Sequence, residues 1–301
     1  MKTAAILAAL AIVAFVAAPA SAYVILLVSD ANAPDEPGGD HNDDSFVAWL
    51  DALPGIDVDT HGMTKRMRGD LGADDLAAIA ACDMIIVSRR TDSGAYNKPQ
   101  QWNPIEKPLL LCSGYLTRSS RWGWTTGGSG NVGNTETDMA IIAGKEGHDF
   151  YTKENAVTAP VTLFDWSTSP TGKCPKQVYL PPMADVKDAG NTLLGTMDVD
   201  PNTIRAMMMD FPKGFDFDQG GDLKYGAAGG NRAFFAHWGY DDPPTGTNGP
   251  GGTPSEWEDY ITADYENILE NIVMTKIPEP ATLALLGLGG CMVLIRRRKR
   301  A

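Results

Sequence analysis

The spacing of apolar positions changes along this chain, and each change marks an element. Residues 4–18 are an almost unbroken run of Ala, Leu, Ile, Val and Phe. Residues 23–29 form a shorter apolar run, β-branched at Val24, Ile25 and Val28, of the kind a buried parallel strand requires. A loop rich in Asp, Pro and Gly follows over residues 30–40. Asp43, Asp44 and Ser45 then offer a helix cap, and Phe46, Val47, Leu50 and Leu53 recur at helical spacing until Pro54-Gly55 stops them. A strand over 56–60, a helix over 74–81 with acids in its first turn, and a strand over 84–88 come next. A short helix or loop runs through Gln100-Gln101-Trp102, and residues 108–113 read as a fourth strand. Units repeat about every 25–30 residues, which predicts βαβ crossovers and a parallel sheet.

The second half is less regular. Gly127-Gly128-Ser129-Gly130 marks a loop, and residues 161–164, 177–180, 192–197, 203–209 and 232–238 read as strands divided by turn chemistry. A Gly- and Pro-rich stretch over 243–254 reads as an exposed loop. Residues 256–275 predict a last amphipathic helix with Trp257, Tyr260, Ile261, Tyr265, Ile268, Leu269 and Ile272 on its apolar side. No internal repeat is present, so a solenoid is not indicated.

The two ends read as addresses. Lys2, the apolar run and Ala20-Ser21-Ala22 have the order of a signal peptide, which assigns residues 1–22 to a signal helix cut by signal peptidase before Tyr23. At the other end Pro278-Glu279-Pro280 precedes an apolar run over 281–295 and the basic cluster Arg296, Arg297, Arg298, Lys299 and Arg300. That run is shorter than the ~20 residues of a full membrane span, but Lys and Arg stems can snorkel and a bilayer can thin. A basic end stays cytoplasmic, which places the body of the protein outside. Residues 277–300 resemble the PEP-CTERM sorting signal. The resemblance implies an inner-membrane-anchored precursor and recognition by an exosortase. It also implies cleavage near Pro-Glu-Pro and delivery to the cell envelope or extracellular matrix. A permanent single-span anchor would give the same orientation.

Between these ends, residues 23–277 carry 37 acids against 19 Lys and Arg, a net charge of about −18. Such a domain does not bind nucleic acid through its phosphates. Cys82, Cys112 and Cys174 allow at most one disulfide, and their spacing does not choose it. Without C-x-x-C or a Cys/His cluster, a structural zinc site is not expected. Asp35, Glu36, Asp40, Asp43 and Asp44 are hard oxygen ligands, but their spacing is not that of an EF-hand loop. No metal or cofactor is expected.

In an open parallel sheet, ligands bind beyond the carboxyl ends of the strands. There the chain places Asp30 and Asn32, then Ser88, Arg89, Arg90 and Asp92, then Ser113, Gly114, Tyr115, Arg118, Arg121, Trp122 and Trp124. Asp30, Arg89, Arg118, Arg121 and Trp122 suit a sugar-like or carboxylate ligand, because Trp stacks on sugar rings and Arg and Asp make forked hydrogen bonds. The alternative role for the three arginines is to neutralise the acidic loop.

Two segments carry a second resemblance. Asp83-Met-Ile-Ile-Val-Ser88, followed by Pro108-Leu-Leu-Leu-Cys112-Ser-Gly114, is similar to class I glutamine-amidotransferase-like domains. Arg232-Ala-Phe-Phe-Ala-His237-Trp-Gly-Tyr-Asp241 resembles the end of ThuA-like proteins. The resemblance implies a flavodoxin-like α/β fold over residues 23–277, with a mostly parallel sheet and helices on both faces. A C-terminal transmembrane helix over 281–295 completes the expectation, within a tail of residues 278–301. Cys112 stands at the amidotransferase nucleophile position, but Leu110 replaces the elbow glycine and no His-x-Glu follows. His237 with Asp241 stands where the ThuA-like family has a His-Asp pair. His148-Asp149 is similar to that family's mid-chain His-Pro. The expected function is an exported envelope or matrix protein, non-catalytic, with an extracellular polysaccharide as candidate ligand. The alternative is a carbohydrate-active enzyme using His237 with Asp241 or Asp30.

Overall fold

The computed structural model describes residues 22–31, 43–128, 130–131, 135–169, 178–200, 203–218, 224–237 and 256–276. The first half folds as its pattern predicts. It runs β1 (Tyr23–Val28), α1 (Asp44–Asp51), β2 (Ile56–Asp59), α2 (Ala73–Ala81), β3 (Met84–Val87), α3 (Pro99–Trp102) and β4 (Leu109–Leu111). The second half adds β5 (Gly130–Asn131), β6 (Asp138–Ile141), α4 (Asp149–Thr152), β7 (Val161–Thr162) and β8 (Tyr179–Leu180). It closes with β9 (Leu193–Asp200), β10 (Thr203–Phe211), β11 (Arg232–Phe235) and α5 (Ala263–Lys276).

Among the described residues, nine strands form one sheet in the order β2-β1-β3-β4-β11-β10-β9-β6-β7, beside a two-stranded β5-β8 ladder. This is an α/β fold with a large mixed sheet. The expectation of a mostly parallel sheet holds for the β2-β1-β3-β4-β11 half and fails beyond it. There β10, β9, β6 and β7 pair antiparallel. Between β9 and β10 the cause is connection length. Asp200 pairs with Thr203, so two residues join β9 to β10, whereas a parallel return needs a crossover of about a dozen or more.

The core explains the strand composition. Ile25 through Val28 and Met84 through Val87 are fully buried, and each large side chain so buried is worth ~1.5–3 kcal/mol over an exposed one. A second core region is aromatic. Trp102 stacks on Trp122 at 5.5 Å, and Trp124 stacks on Phe217 at 5.7 Å. Asn103 serves this cluster: its amide donates to the carbonyls of Trp122 and Tyr225 and its oxygen accepts from the Trp124 indole.

One boundary differs from the pattern, and one strand, β6, has no counterpart in it. The last helix begins at Ala263 rather than 256, because Tyr260 takes a left-handed φ of 65° and turns the chain first. Strand β6 has weak apolar alternation and is held by pairing, with Met139 packed where Gly195 of β9 leaves room. Among the described residues, no helix is long and apolar enough to cross a membrane. The expected signal helix, the span over 281–295, the acidic loop at Asn32, Asp35, Glu36 and Asp40, Cys174 and Asp241 lie outside the described residues. Cys82 and Cys112 are both free thiols.

Candidate functional site

The parallel strands end in a row. Ser88 N–H donates to Val28 at 2.9 Å, Cys112 N–H to Val87 at 2.9 Å, and His237 N–H to Cys112 at 3.3 Å. Ser29, Ser88, Cys112 and His237 therefore follow β1, β3, β4 and β11 side by side at one edge. Connections leave β1 and β3 in opposite directions, so the crevice between their ends is the switch point of the sheet. Asp43 fills it. The sequence reading made Asp43 part of a helix cap, but its side chain makes no cap bond. The fully buried carboxylate instead accepts from the Ser29 hydroxyl, and from Ser88 Oγ at 2.8 Å.

Beside Asp43 lies a small pocket of about 10 Å³, room for about one water molecule, lined by Phe46, Ser88, Arg89, Cys112, His237, Trp257, Tyr265 and Leu269. Its aromatic wall comes from two distant segments. Phe46 of α1 lies 4.8 Å from Trp257, and Ser45 Oγ donates to Glu256 at 3.0 Å. Tyr265 of α5 stacks on Phe235 at 4.5 Å and meets the His237 ring edge-on at 5.4 Å.

The chemistry of the two catalytic candidates is subdued. Burial, then the Asp43 carboxylate, pushes the Cys112 thiol far above its ordinary range, so it holds its proton. Left-handed backbone among non-glycine residues occurs at Thr64, Lys65, Asp188 and Tyr260. Cys112 therefore lacks the strained turn of a nucleophile elbow. Burial, then the charge of Arg89, pushes His237 down to about 3, against a backbone hydrogen bond at Trp257 that pulls it up. A base that weak is poorly matched to proton transfer near neutral pH.

Gly114 has a different role from the one its motif suggests. A Cβ there would stand 1.8 Å from the Tyr179 carbonyl oxygen. The missing side chain lets β8 cross directly over the end of β4, and Tyr115 then stacks on Tyr179 at 3.6 Å. The Arg89 guanidinium lies 4.9 Å from the Tyr115 ring centre, and that of Arg118 lies 5.3 Å from Tyr115 and 5.7 Å from Tyr179. Gly114→Ala is expected to destabilise the protein by about 2–3 kcal/mol through overpacking, read as a lower urea midpoint at unchanged slope.

The other candidates are distributed differently. Arg89 lines the pocket, and Arg118 joins it through Tyr115. Asp30 is nearly buried and occupied elsewhere. It takes a forked pair from Arg68 at 2.8 and 2.6 Å, the Tyr96 hydroxyl at 3.1 Å and the Asp92 N–H at 2.9 Å. Arg121 donates to the neighbouring Ser120 carbonyl at the surface. Trp122, expected to offer a face to a sugar, is a correction: it is fully buried, stacked on Trp102, with its N–H on the Tyr96 carbonyl. Phe46, Trp257, Tyr265 and Tyr179 are site residues with no signal of that role in the sequence, whereas Asp43, a candidate hard oxygen ligand there, instead accepts from Ser29 and Ser88. Only folding brings them to this edge, and no local spacing announces it. Among the described residues, no group of three or more His, Cys, Asp or Glu is placed to hold a metal ion.

A second functional element begins where α5 ends. Lys276 is buried and bonds Asp210 at 2.6 Å, with its ammonium 4.9 Å from the Phe150 ring centre. His148 reaches the other Asp210 oxygen at 3.6 Å, and its Nδ1 accepts from Phe150 N–H. Burial alone would raise the Asp210 carboxyl, but the His148 bond and the Lys276 charge outweigh it and hold it low. Residues 276–300 match the PEP-CTERM protein-sorting motif. This marks an exported, exosortase-sorted protein. No curated protein matches the chain. The sorting motif thus starts on the residue that the Asp210 pair ties to β10, with Pro278, Glu279, Pro280, Arg296, Arg297 and Arg298 beyond it.

Proposed function

We propose that this protein is a non-catalytic component of the cell envelope or extracellular matrix that binds polysaccharide on the aromatic rim of Tyr115 and Tyr179 beyond the ends of β3 and β4. Signal peptidase would remove residues 1–22. The segment over 281–295 would then hold the precursor in the inner membrane until the exosortase acts near Pro278-Glu279-Pro280. The strand order β2-β1-β3-β4-β11 supports reading residues 23–277 as a flavodoxin-like domain related to the amidotransferase and ThuA-like type. A shared fold does not carry an activity with it.

The observation that carries the non-catalytic reading is the state of His237 and Cys112, both buried and both neutral, beside an intact aromatic and cationic rim. The chain isolated from its host is expected to bind extracellular polysaccharide in a pull-down and to release no reducing ends. His237→Gln should leave that binding within about twofold, since the ring is buried. Turnover of the bound glycan that His237→Gln abolishes would establish the enzyme reading instead.

A further inference from the structure

The sorting motif begins inside the fold. Helix α5 runs to Lys276, and the motif starts on that same residue. One residue, Ile277, separates Lys276 from Pro278. The helix is held down to its last turn. Asn271 is fully buried and uses all of its side-chain hydrogen-bonding capacity on α4 and the turn after it. Its oxygen accepts from the N–H groups of Glu154 and Asn155 at 2.8 and 2.9 Å, and its amide donates to the carbonyls of Phe150 and Asn155 at 3.2 and 2.8 Å. Asn155 in turn donates to Glu270 at 2.8 Å. Just beyond, the Lys276 ammonium is buried between Asp210 of β10 and the Phe150 ring, with His148 on the other Asp210 oxygen. A cation in the last turn also meets the negative end of the helix dipole.

Proteolysis asks for the opposite conformation. A protease grips its substrate as an extended strand, because a helix keeps its N–H and C=O groups in its own hydrogen bonds. Gripping even three residues ahead of Pro278 means extending Thr275 and Lys276. That draws the ammonium away from Asp210 and Phe150. An intact end of α5 and a cut beside it therefore exclude one another. Resting on the reading above that the exosortase cuts near Pro278-Glu279-Pro280, we propose that Lys276 and Asp210, backed by His148 and Phe150, form a latch that slows removal of the tail. The cut then waits for the last turn of α5 to open.

The test follows the full chain in its host by pulse labelling and immunoprecipitation, and reads the rate at which the precursor loses its tail. Where opening is fast relative to cutting, that rate tracks the open fraction of the helix end. Asp210→Asn removes the charge that holds Lys276 and lies outside the motif, and it should speed processing about threefold or more. A flexible Gly-Ser insert of about six residues between Ile277 and Pro278 moves the cut clear of α5 and leaves the domain untouched. It should speed processing to a similar extent, and Asp210→Asn should then add less than about twofold on top of it. Ile79→Ala opens a cavity beneath α2, at the far half of the sheet, and should leave the rate unchanged. Failure of either Asp210→Asn or the insert to speed processing overturns the latch, and so does equal acceleration by Ile79→Ala, which would mean global unfolding. A wild-type tail that is never removed overturns the cleavage reading itself, and the latch with it. If Asp210→Asn does not fold, the insert alone decides.

Discussion

Lowering the pH from about 7 to 4 is expected to destabilise this protein more than its carboxylates alone would, and His237→Gln should remove the excess. The argument is proton linkage. His237 titrates at about 3 in the folded chain, against an ordinary 6.5 when unfolded. Between those values the unfolded chain binds a proton that the native one refuses, so stability falls as pH falls. The contribution is complete above pH 6.5, drains through the window and is gone at about 3. A gap that wide is worth roughly 4–5 kcal/mol, with the last part hidden wherever the protein unfolds first. Glu256, Asp259 and Glu266 act in the opposite sense, because burial raises each of them. The variant must therefore be compared with the wild type across the same pH series of urea midpoints. Parallel curves for the two proteins would refute the assignment.

Arg232→Met is the second large effect. Arg232 opens β11 and is fully buried without a carboxylate. It donates to the carbonyls of Lys107, Asn231, Trp102 and Asn103 at 2.8, 3.1, 3.4 and 2.6 Å, and also to Ile105. Burial pushes its guanidinium down to about 10, so it stays charged at neutral pH. The segment between α3 and β4 has its carbonyls gathered on this one side chain. Removing it leaves buried acceptors unmet, at a cost of about 3–5 kcal/mol. Arg232→Lys should recover less than half, because an ammonium has three donors and no planar fork. A loss under about 1 kcal/mol by denaturant titration would show that the segment is satisfied in another way.

These cases show what sequence could and could not reveal. The run Ile25-Leu26-Leu27-Val28 announces a strand because both its faces are buried, and burial is written in composition. Arg232 looked like an ordinary strand entrance, since its acceptors lie more than a hundred positions earlier in the chain. Trp122 and Trp124 looked like a sugar platform because Trp-Gly-Trp beside arginine fits both a rim and a core. The stacking of Trp102 decides for the core. The direction of β9, β10 and β6 was hidden because alternation reports which face is buried and not which neighbour is antiparallel. Sorting was legible because that signal is local: a motif, an apolar stretch and a basic end in fixed order.

Asp43 has a consequence for how such a protein can diversify. Eleven residues separate Ala31 from Asp43. The chain is secured at both ends of that interval, by Asp30 on Arg68 and by Asp43 on Ser29 and Ser88. With the anchors outside it, doubling its length costs only about 0.6 kcal/mol of closure entropy. Insertions and substitutions between the two anchors can therefore accumulate over generations while the sheet is inherited unchanged.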